Sequence, residues 1–89
     1  MRIRAKVFGR VQGVFFRANA KEKAQELGLN GWVKNREDGS VEMVIEGKEK
    51  TINDLLDWCK SGPGISKVNN INILKEEEKE KLKGFEILY

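Results

Sequence analysis

A strand gives way to a helix within the stretch Gly9-Arg10-Val11-Gln12-Gly13-Val14-Phe15-Phe16-Arg17, which places two glycines and an arginine at the junction. At such a junction successive backbone N–H groups can point into one concavity, and the new helix adds the positive end of its dipole. The arginine supplies a planar fork of donors that matches phosphate oxygens. We therefore interpret Gly9 to Arg17 as a phosphate-binding loop.

The rest of the chain shows the periodicities of strands and helices. Arg2 to Phe8 alternates charged and apolar residues, which predicts a half-buried strand. From about Phe16 to Leu27 apolar residues recur at helical spacing, and Gly28 is a natural stop. The remaining segments predict, in order, a strand at Gly31 to Arg36, a turn at Glu37 to Ser40, a strand at Val41 to Glu46, a helix at Lys48 to Lys60, a strand at Ser66 to Leu74 and a short apolar end at Phe85 to Tyr89.

This order predicts an α+β fold of the ferredoxin-like split βαβ type (βαββαβ), in which an antiparallel sheet carries both helices on one face. Two right-handed crossovers make the first and third strands the central pair. Phe85 to Tyr89 adds a short C-terminal strand whose place in the sheet stays open. Lys75 to Lys83 has no apolar stripe, which predicts a solvated loop or a frayed extension. Since the chain is too short for two cores, we expect residues 1–89 to form one domain.

The composition limits the chemistry that the chain can perform. There are 17 Lys and Arg against 14 Asp and Glu, mostly interspersed, which is a mild bias toward anionic ligands. The absence of histidine excludes histidine nucleophile pairs, a histidine general base and histidine metal sites, and a lone cysteine excludes thiolate metal clusters. Whatever chemistry occurs must therefore use arginine, amides, carboxylates, backbone and water.

The compartment and the assembly state are predicted from weaker signals. The single cysteine, Cys59, cannot form an internal disulfide and lies on an apolar helix stripe, which is typical of an inert small hydrophobe. Residues 1–6 alternate charged and apolar side chains, so they lack the apolar region of a signal peptide. We expect a cytoplasmic monomer without a membrane partner.

Two side chains near the loop are candidates for a site. Arg17 follows the loop directly and can fold back over it, although a solvated helix arginine is the alternative. Asn35 lies near the end of the second strand on the face of Val33, where its amide can both donate to and accept from a water molecule. The alternative is an asparagine that initiates the following turn. Gly9 and Gly13 indicate positive φ or close ligand approach, unless they belong to an ordinary strand-to-helix turn.

The loop, followed by Asn35 within Gly31-Trp32-Val33-Lys34-Asn35-Arg36-Glu37-Asp38-Gly39-Ser40-Val41, resembles the two signature segments of the acylphosphatases. The resemblance implies hydrolysis of the carboxyl–phosphate bond in small acylphosphates without a metal or any other cofactor, with inorganic phosphate as a product and no covalent phosphoenzyme. It also implies that Asn35 positions the attacking water. The phosphoryl group would be bound by Arg17 and by the loop amides of Gln12, Gly13, Val14, Phe15 and Phe16.

The chain departs from the family pattern at two places. Ala18-Asn19 follows the arginine where members often carry a larger residue, and the chain ends in Leu88-Tyr89 where some members end in Arg-Tyr.

Two other functions stay open. An RNA-recognition module would need aromatic residues on the central strands, and Val41 to Glu46 has none, so we expect no nucleic-acid partner. A non-catalytic anion-binding domain would keep the loop without the chemistry.

Overall fold

The computed structural model describes residues 1–89 and contains five strands and two helices in the predicted order. The elements are β1 (Arg2–Arg10), α1 (Phe16–Glu26), β2 (Asn30–Asn35), β3 (Val41–Glu46), α2 (Glu49–Lys60), β4 (Lys67–Lys75) and β5 (Phe85–Leu88). The split βαβ order is thus confirmed. The largest boundary difference is in β1, which continues to Arg10 through a bulge in its pairing with β4.

The five strands form one sheet in the order β4-β1-β3-β2-β5. The first four are antiparallel neighbours with β1 and β3 at their centre, as predicted. β5 pairs with β2 in parallel, with Val33 opposite Ile87, so the complete sheet is mixed. The direction of β5 follows from the path of the chain: β4 ends beside Ile3, at the end of the sheet where β2 begins, and β5 starts from that same end.

The core lies between the helices and one face of the sheet. The strands contribute alternate residues to it, and both helices contribute their apolar stripes to the same buried cluster, so both cover one face. The main members from the sheet and the helices are Ile3, Ala5, Val7, Val33, Val41, Met43, Ile45, Phe16, Ala20, Ala24, Ile52, Leu55, Leu56 and Cys59. Neither helix is long and apolar enough to cross a membrane.

The opposite face of the sheet is covered by ion pairs. Arg4 pairs with Glu42 at 3.0 Å, Arg36 pairs with the same carboxylate, and Lys6 pairs with Asp38 at 2.8 Å. Burial by itself raises the pKa of Glu42, but the hydrogen bonds and charges of its two arginines outweigh that effect and hold the pKa below its usual value. The hydrogen bond from Lys6, followed by those from Ser40, strongly lowers the pKa of Asp38. Both carboxylates are therefore ionised at neutral pH.

The charged segment 76–84 is a mostly exposed loop, which is the first of the two predicted alternatives, and ion pairs tie it to the sheet. Glu76 pairs with Arg4 at 2.7 Å, and Glu78 pairs with the amino group of Met1 at 3.1 Å. Periodicity could not reveal these contacts because the cationic partners belong to the other end of the sequence.

Glu46 anchors the same segment from the sheet. Its carboxylate accepts a hydrogen bond from Arg2 Nη2 at 2.6 Å and another from the backbone N–H of Leu82 at 3.1 Å. The side chains of Arg2 and Glu46 are only 12 % and 8 % exposed. The anchor fixes the chain just before β5 and thereby helps to bring the carboxyl end back along β2.

Candidate active site

The phosphate-binding loop begins at a bulge that ends the regular pairing of β1 with β4. The register of that pairing shifts between Phe8 and Gly9, and Gly9 has a φ of +131°. A Cβ atom at Gly9 would lie 2.2 Å from the carbonyl oxygen of Lys67. Glycine is required there because any side chain would collide with β4, so the expectation of a special backbone position at Gly9 is confirmed.

Apolar side chains fix the loop to the core. Val11, Val14 and Phe16 are 1 %, 4 % and 1 % exposed and belong to the core cluster, whereas the ring of Phe15 is 76 % exposed. Phe16 also packs against Trp58 of α2, with 6.1 Å between the ring centroids. The buried side chains leave the backbone of the loop little freedom to move.

The loop presents unpaired backbone donors at the start of α1. The N–H groups of residues 11–15 donate no hydrogen bond within the protein. Gly13 and Phe15 have positive φ values of 73° and 64° while Val14 between them does not, and such alternation turns successive N–H groups into one concavity. Since α1 begins at Phe16, its positive dipole end lies at the same place. This arrangement is suited to an anion.

Arg17 extends from the first turn of α1 and is half-buried. It takes part in none of the protein's ion pairs. Its guanidinium carbon lies 5.0 Å from the ring centroid of Tyr89, in the geometry of a cation–π contact. Arg17, Tyr89 and the loop line one cleft of about 320 Å³, together with Ile87 and Ala18. The charge of Arg17 is therefore available to a ligand in this cleft.

Asn35 lies at the same end of the sheet as the loop. Val41, the first residue of β3, pairs with Val7 of β1 on one side and with Asn35 of β2 on the other. On the far side of β2, Lys34 pairs with Leu88, which directly precedes Tyr89. The sheet register thus places Asn35 between the strand that leads into the loop and the strand whose end covers Arg17.

The amide oxygen of Asn35 is the one buried side-chain polar atom in the protein that has no hydrogen-bond partner. A buried acceptor without a donor is costly, on the order of 1–3 kcal/mol, and such atoms are typical of sites that receive a ligand or a water molecule. Asn35 also lines a second cleft of about 420 Å³ with Lys6, Lys34 and residues 36–38, and it is not among the residues that line the cleft of Arg17.

The side chain of Gln12 connects the loop to the turn after Asn35. Its Nε2 donates to the carbonyl oxygen of Arg36 at 2.7 Å and to that of Ser40 at 2.8 Å. The sequence indicated only a backbone role for Gln12, because its partners are carbonyl groups and carbonyl groups have no sequence signature. The sequence did not predict the contact of Tyr89 with Arg17 either, because it depends on the place of β5 in the sheet.

Two other features of the surroundings are unsuited to phosphate chemistry. The cleft between α1 and the connection from α2 to β4 is lined by Glu22, Glu26 and Lys23, and Lys23 pairs with Glu26. Its charged lining is therefore net negative, which disfavours an anion. Cys59 is fully buried, and burial raises the pKa of its thiol to about 12. Its prediction as an inert hydrophobe is consistent with both facts.

Comparison with known proteins gives matches over nearly the whole chain. The family model described as Acylphosphatase matches residues 3–87. A protein named acylphosphatase from Rubrobacter xylanophilus is 43% identical over 86 residues, which cover 97% of this chain and 78% of that protein. The crystal structure of acylphosphatase from Bacillus subtilis superposes with a TM-score of 0.94 at 40% identity, covering 99% of this chain and 98% of that chain. Full-length HypF in its phosphate- and nucleotide-bound form gives a TM-score of 0.86 at 31% identity, covering 99% of this chain and 12% of that one.

Proposed function

Because the chain belongs to the acylphosphatase family of hydrolases, we propose that its loop, Arg17 and Asn35 together hydrolyse the carboxyl–phosphate bond of small acylphosphates. The products are a carboxylate and inorganic phosphate. One observation carries the proposal: an arginine without a carboxylate partner adjoins a run of backbone N–H groups without acceptors. Both kinds of donor are oriented by the fold before any ligand arrives, which is the arrangement that stabilises charge on a transferring phosphoryl group.

The amides of Gln12, Gly13, Val14, Phe15 and Phe16 bind the phosphoryl oxygens in this proposal. The guanidinium of Arg17 binds them from the side of the helix and offsets the negative charge of the substrate. The exposed rings of Phe15 and Tyr89 lie beside the acyl group at the mouth of the cleft.

Asn35 positions the attacking water, for which its unpartnered buried Oδ1 is a ready acceptor. The water oxygen forms a bond to phosphorus while the bond from phosphorus to the acyl oxygen breaks. The bonding electrons leave with the carboxylate, and a proton of the water passes to a phosphoryl oxygen. An acylphosphate has a good leaving group and a loose transition state, so positioning and charge stabilisation suffice without a strong general base. The lack of histidine is consistent with this chemistry, which we propose to be metal-independent.

The proposal is tested by separating binding from turnover in two variants. Arg17→Ala removes a preorganised charged donor, so kcat/KM for acetyl phosphate is expected to fall by about 100-fold to 1000-fold. In the same variant the inhibition constant of inorganic phosphate should rise, because Arg17 also binds the product. Asn35→Ala is expected to lower kcat while changing the phosphate inhibition constant little. Arg10→Ala, which removes an exposed arginine at the last position of β1, is the matched control and should change kcat/KM by no more than about twofold.

Two outcomes would overturn the assignment of roles. Equal loss of phosphate affinity in Arg17→Ala and Asn35→Ala would show that Asn35 binds the phosphoryl group. A folded wild-type protein that binds phosphate but has no turnover would favour the non-catalytic anion-binding alternative.

The proposal includes a monomer in the cytoplasm. It is supported by the lone buried cysteine, which needs no oxidising compartment, and by ion pairs that cover the face of the sheet away from the helices. Sedimentation equilibrium of the purified chain measures the mass directly, and a concentration-independent dimer would contradict this part.

A further inference from the structure

We propose that the side chain of Gln12 is a positioning residue that sets the place of Asn35 relative to the phosphate-binding loop. This inference rests on the proposed function. It assigns Gln12 two separate tasks: its backbone N–H is part of the loop, and its side chain acts through the turn between β2 and β3.

The hydrogen bonds of Gln12 exclude a direct role of its side chain in phosphate binding. Nε2 has two hydrogens, and both are used, by the carbonyl oxygens of Arg36 and Ser40 at 2.7 and 2.8 Å. The side chain has no further donor for a phosphoryl oxygen. Its carbonyl oxygen is an acceptor and would repel an anion.

The two carbonyl groups belong to the ends of the turn that follows Asn35. The N–H of Arg36 donates to the oxygen of Ser40 at 2.9 Å, and the N–H of Gly39 donates to the oxygen of Arg36 at 3.1 Å. These bonds close the turn on itself. The pairing of β3 with β1 and the Lys6–Asp38 ion pair place the turn near β1, and Gln12 adds the only hydrogen bonds that join the loop itself to the turn.

Asn35 is the residue most affected by that link. Its carboxyl neighbour, Arg36, carries the carbonyl that Gln12 holds, and its own Oδ1 is buried without a partner. A water molecule on that oxygen must face a phosphoryl group bound to loop amides. Misplacement by about 1 Å can cost on the order of 100-fold in rate, so a direct link between the two halves has a large effect on turnover.

The test is a double-mutant cycle with Gln12→Met and Asn35→Ala. Methionine has a similar length and volume but no N–H donors. We expect Gln12→Met to lower kcat by about 10-fold to 100-fold and to change the phosphate inhibition constant by less than about threefold. In the Asn35→Ala background the same change should alter kcat by less than about twofold, because there is no longer an amide to position. Equal losses of kcat in both backgrounds, or a parallel loss of phosphate affinity, would overturn the proposal.

A variant of the same turn is a control for a general loss of stability in this part of the protein. Asp38→Asn removes the charge that pairs with Lys6, but an amide oxygen at this position can still accept the hydrogen bonds from Ser40. The partners of Gln12 should therefore stay in place, so Tm should fall while kcat stays within about twofold of the wild type. Gln12→Asn retains the amide but is one methylene shorter, and it should behave like Gln12→Met. If the loss of kcat in Gln12→Met comes from a displaced Asn35 and not from lower stability, Asp38→Asn must retain the wild-type kcat.

A second readout does not depend on turnover and separates this inference from the proposed function. The side-chain amide resonance of Asn35 in ¹⁵N-edited NMR spectra should shift or broaden in Gln12→Met and stay in place in Asp38→Asn. An unchanged resonance in Gln12→Met would overturn the positioning role. Absence of acetyl phosphate turnover in the wild type, with the resonance shifted, would overturn the proposed function alone.

Discussion

Replacing Glu46 with glutamine tests whether segment 76–84 is anchored to the sheet by charge. Glu46→Gln keeps the shape of the side chain and a neutral acceptor for the N–H of Leu82, but it leaves the guanidinium of Arg2 without its counter-ion. Hydrogen bonds to charged groups contribute about 1.5–3 kcal/mol, and breaking one half of a buried ion pair costs about 3–5 kcal/mol. Since the pair is only 12 % and 8 % exposed and one acceptor survives, we expect a loss of about 2–3 kcal/mol of unfolding free energy.

For a domain of this size such a loss lowers Tm by roughly 10–20 °C, which thermal unfolding followed by circular dichroism resolves easily. Asp54→Asn is the matched control, since its partner Lys50 lies 3.6 Å away with the two side chains 44 % and 87 % exposed. An exposed pair of this kind contributes about 0.5 kcal/mol or less.

The pH dependence of the stability difference between the wild type and Glu46→Gln provides a second, independent test. The hydrogen bond from Arg2 is the main cause that lowers the pKa of Glu46 from its ordinary value of 4.5. A carboxyl group with a lowered pKa stabilises the folded state above its ordinary pKa, and this contribution is lost as the pH falls through the folded value. The wild type should therefore exceed Glu46→Gln in stability at neutral pH and approach it in acid. Equal Tm shifts for Glu46→Gln and Asp54→Asn, or a stability difference between wild type and Glu46→Gln that does not shrink in acid, would show that charge does not anchor the segment.

Two further predictions concern the loop and the core. Gly9→Ala should cost more than about 2 kcal/mol, because its Cβ would lie 2.2 Å from a backbone oxygen at a φ of +131°. Gly28→Ala, with nothing within 4 Å of its Cβ, should cost about 1 kcal/mol for its positive φ alone; similar denaturant midpoints for the two variants would contradict the collision. Cys59 should react with thiol reagents only as fast as the protein unfolds, since it is buried and its pKa is raised to about 12. Rapid labelling of the folded protein without denaturant would show that the thiol is accessible.

Local patterns in the sequence were sufficient to predict the elements and the backbone of the loop. The spacing of Gly9 and Gly13 indicated positive φ, and both glycines have it. Period two placed Asn35 on the face of Val33, and its amide oxygen is indeed buried. These features depend on the conformations that a few neighbouring residues permit, so they can be inferred without knowing the rest of the fold.

The contacts that complete the candidate site depend on tertiary placement instead. Tyr89 reaches Arg17 only because β5 runs parallel to β2, and that direction follows from where the chain leaves β4. The side chain of Gln12 binds two carbonyl groups, and every residue has such a group. Glu46 and Glu76 pair with Arg2 and Arg4, which lie 44 and 72 residues earlier in the sequence. No periodicity encodes these pairings.

Hydrolysis of an acylphosphate by the loop and Arg17 is tested most directly by the release of inorganic phosphate from acetyl phosphate by the purified wild-type chain with a chelator present. We expect multiple turnovers at an unchanged rate when the chelator is added, and loss of nearly all of this activity in Arg17→Ala. A wild-type protein that is folded by circular dichroism and yet releases phosphate no faster than the buffer, or an Arg17→Ala variant with wild-type turnover, would contradict this expectation.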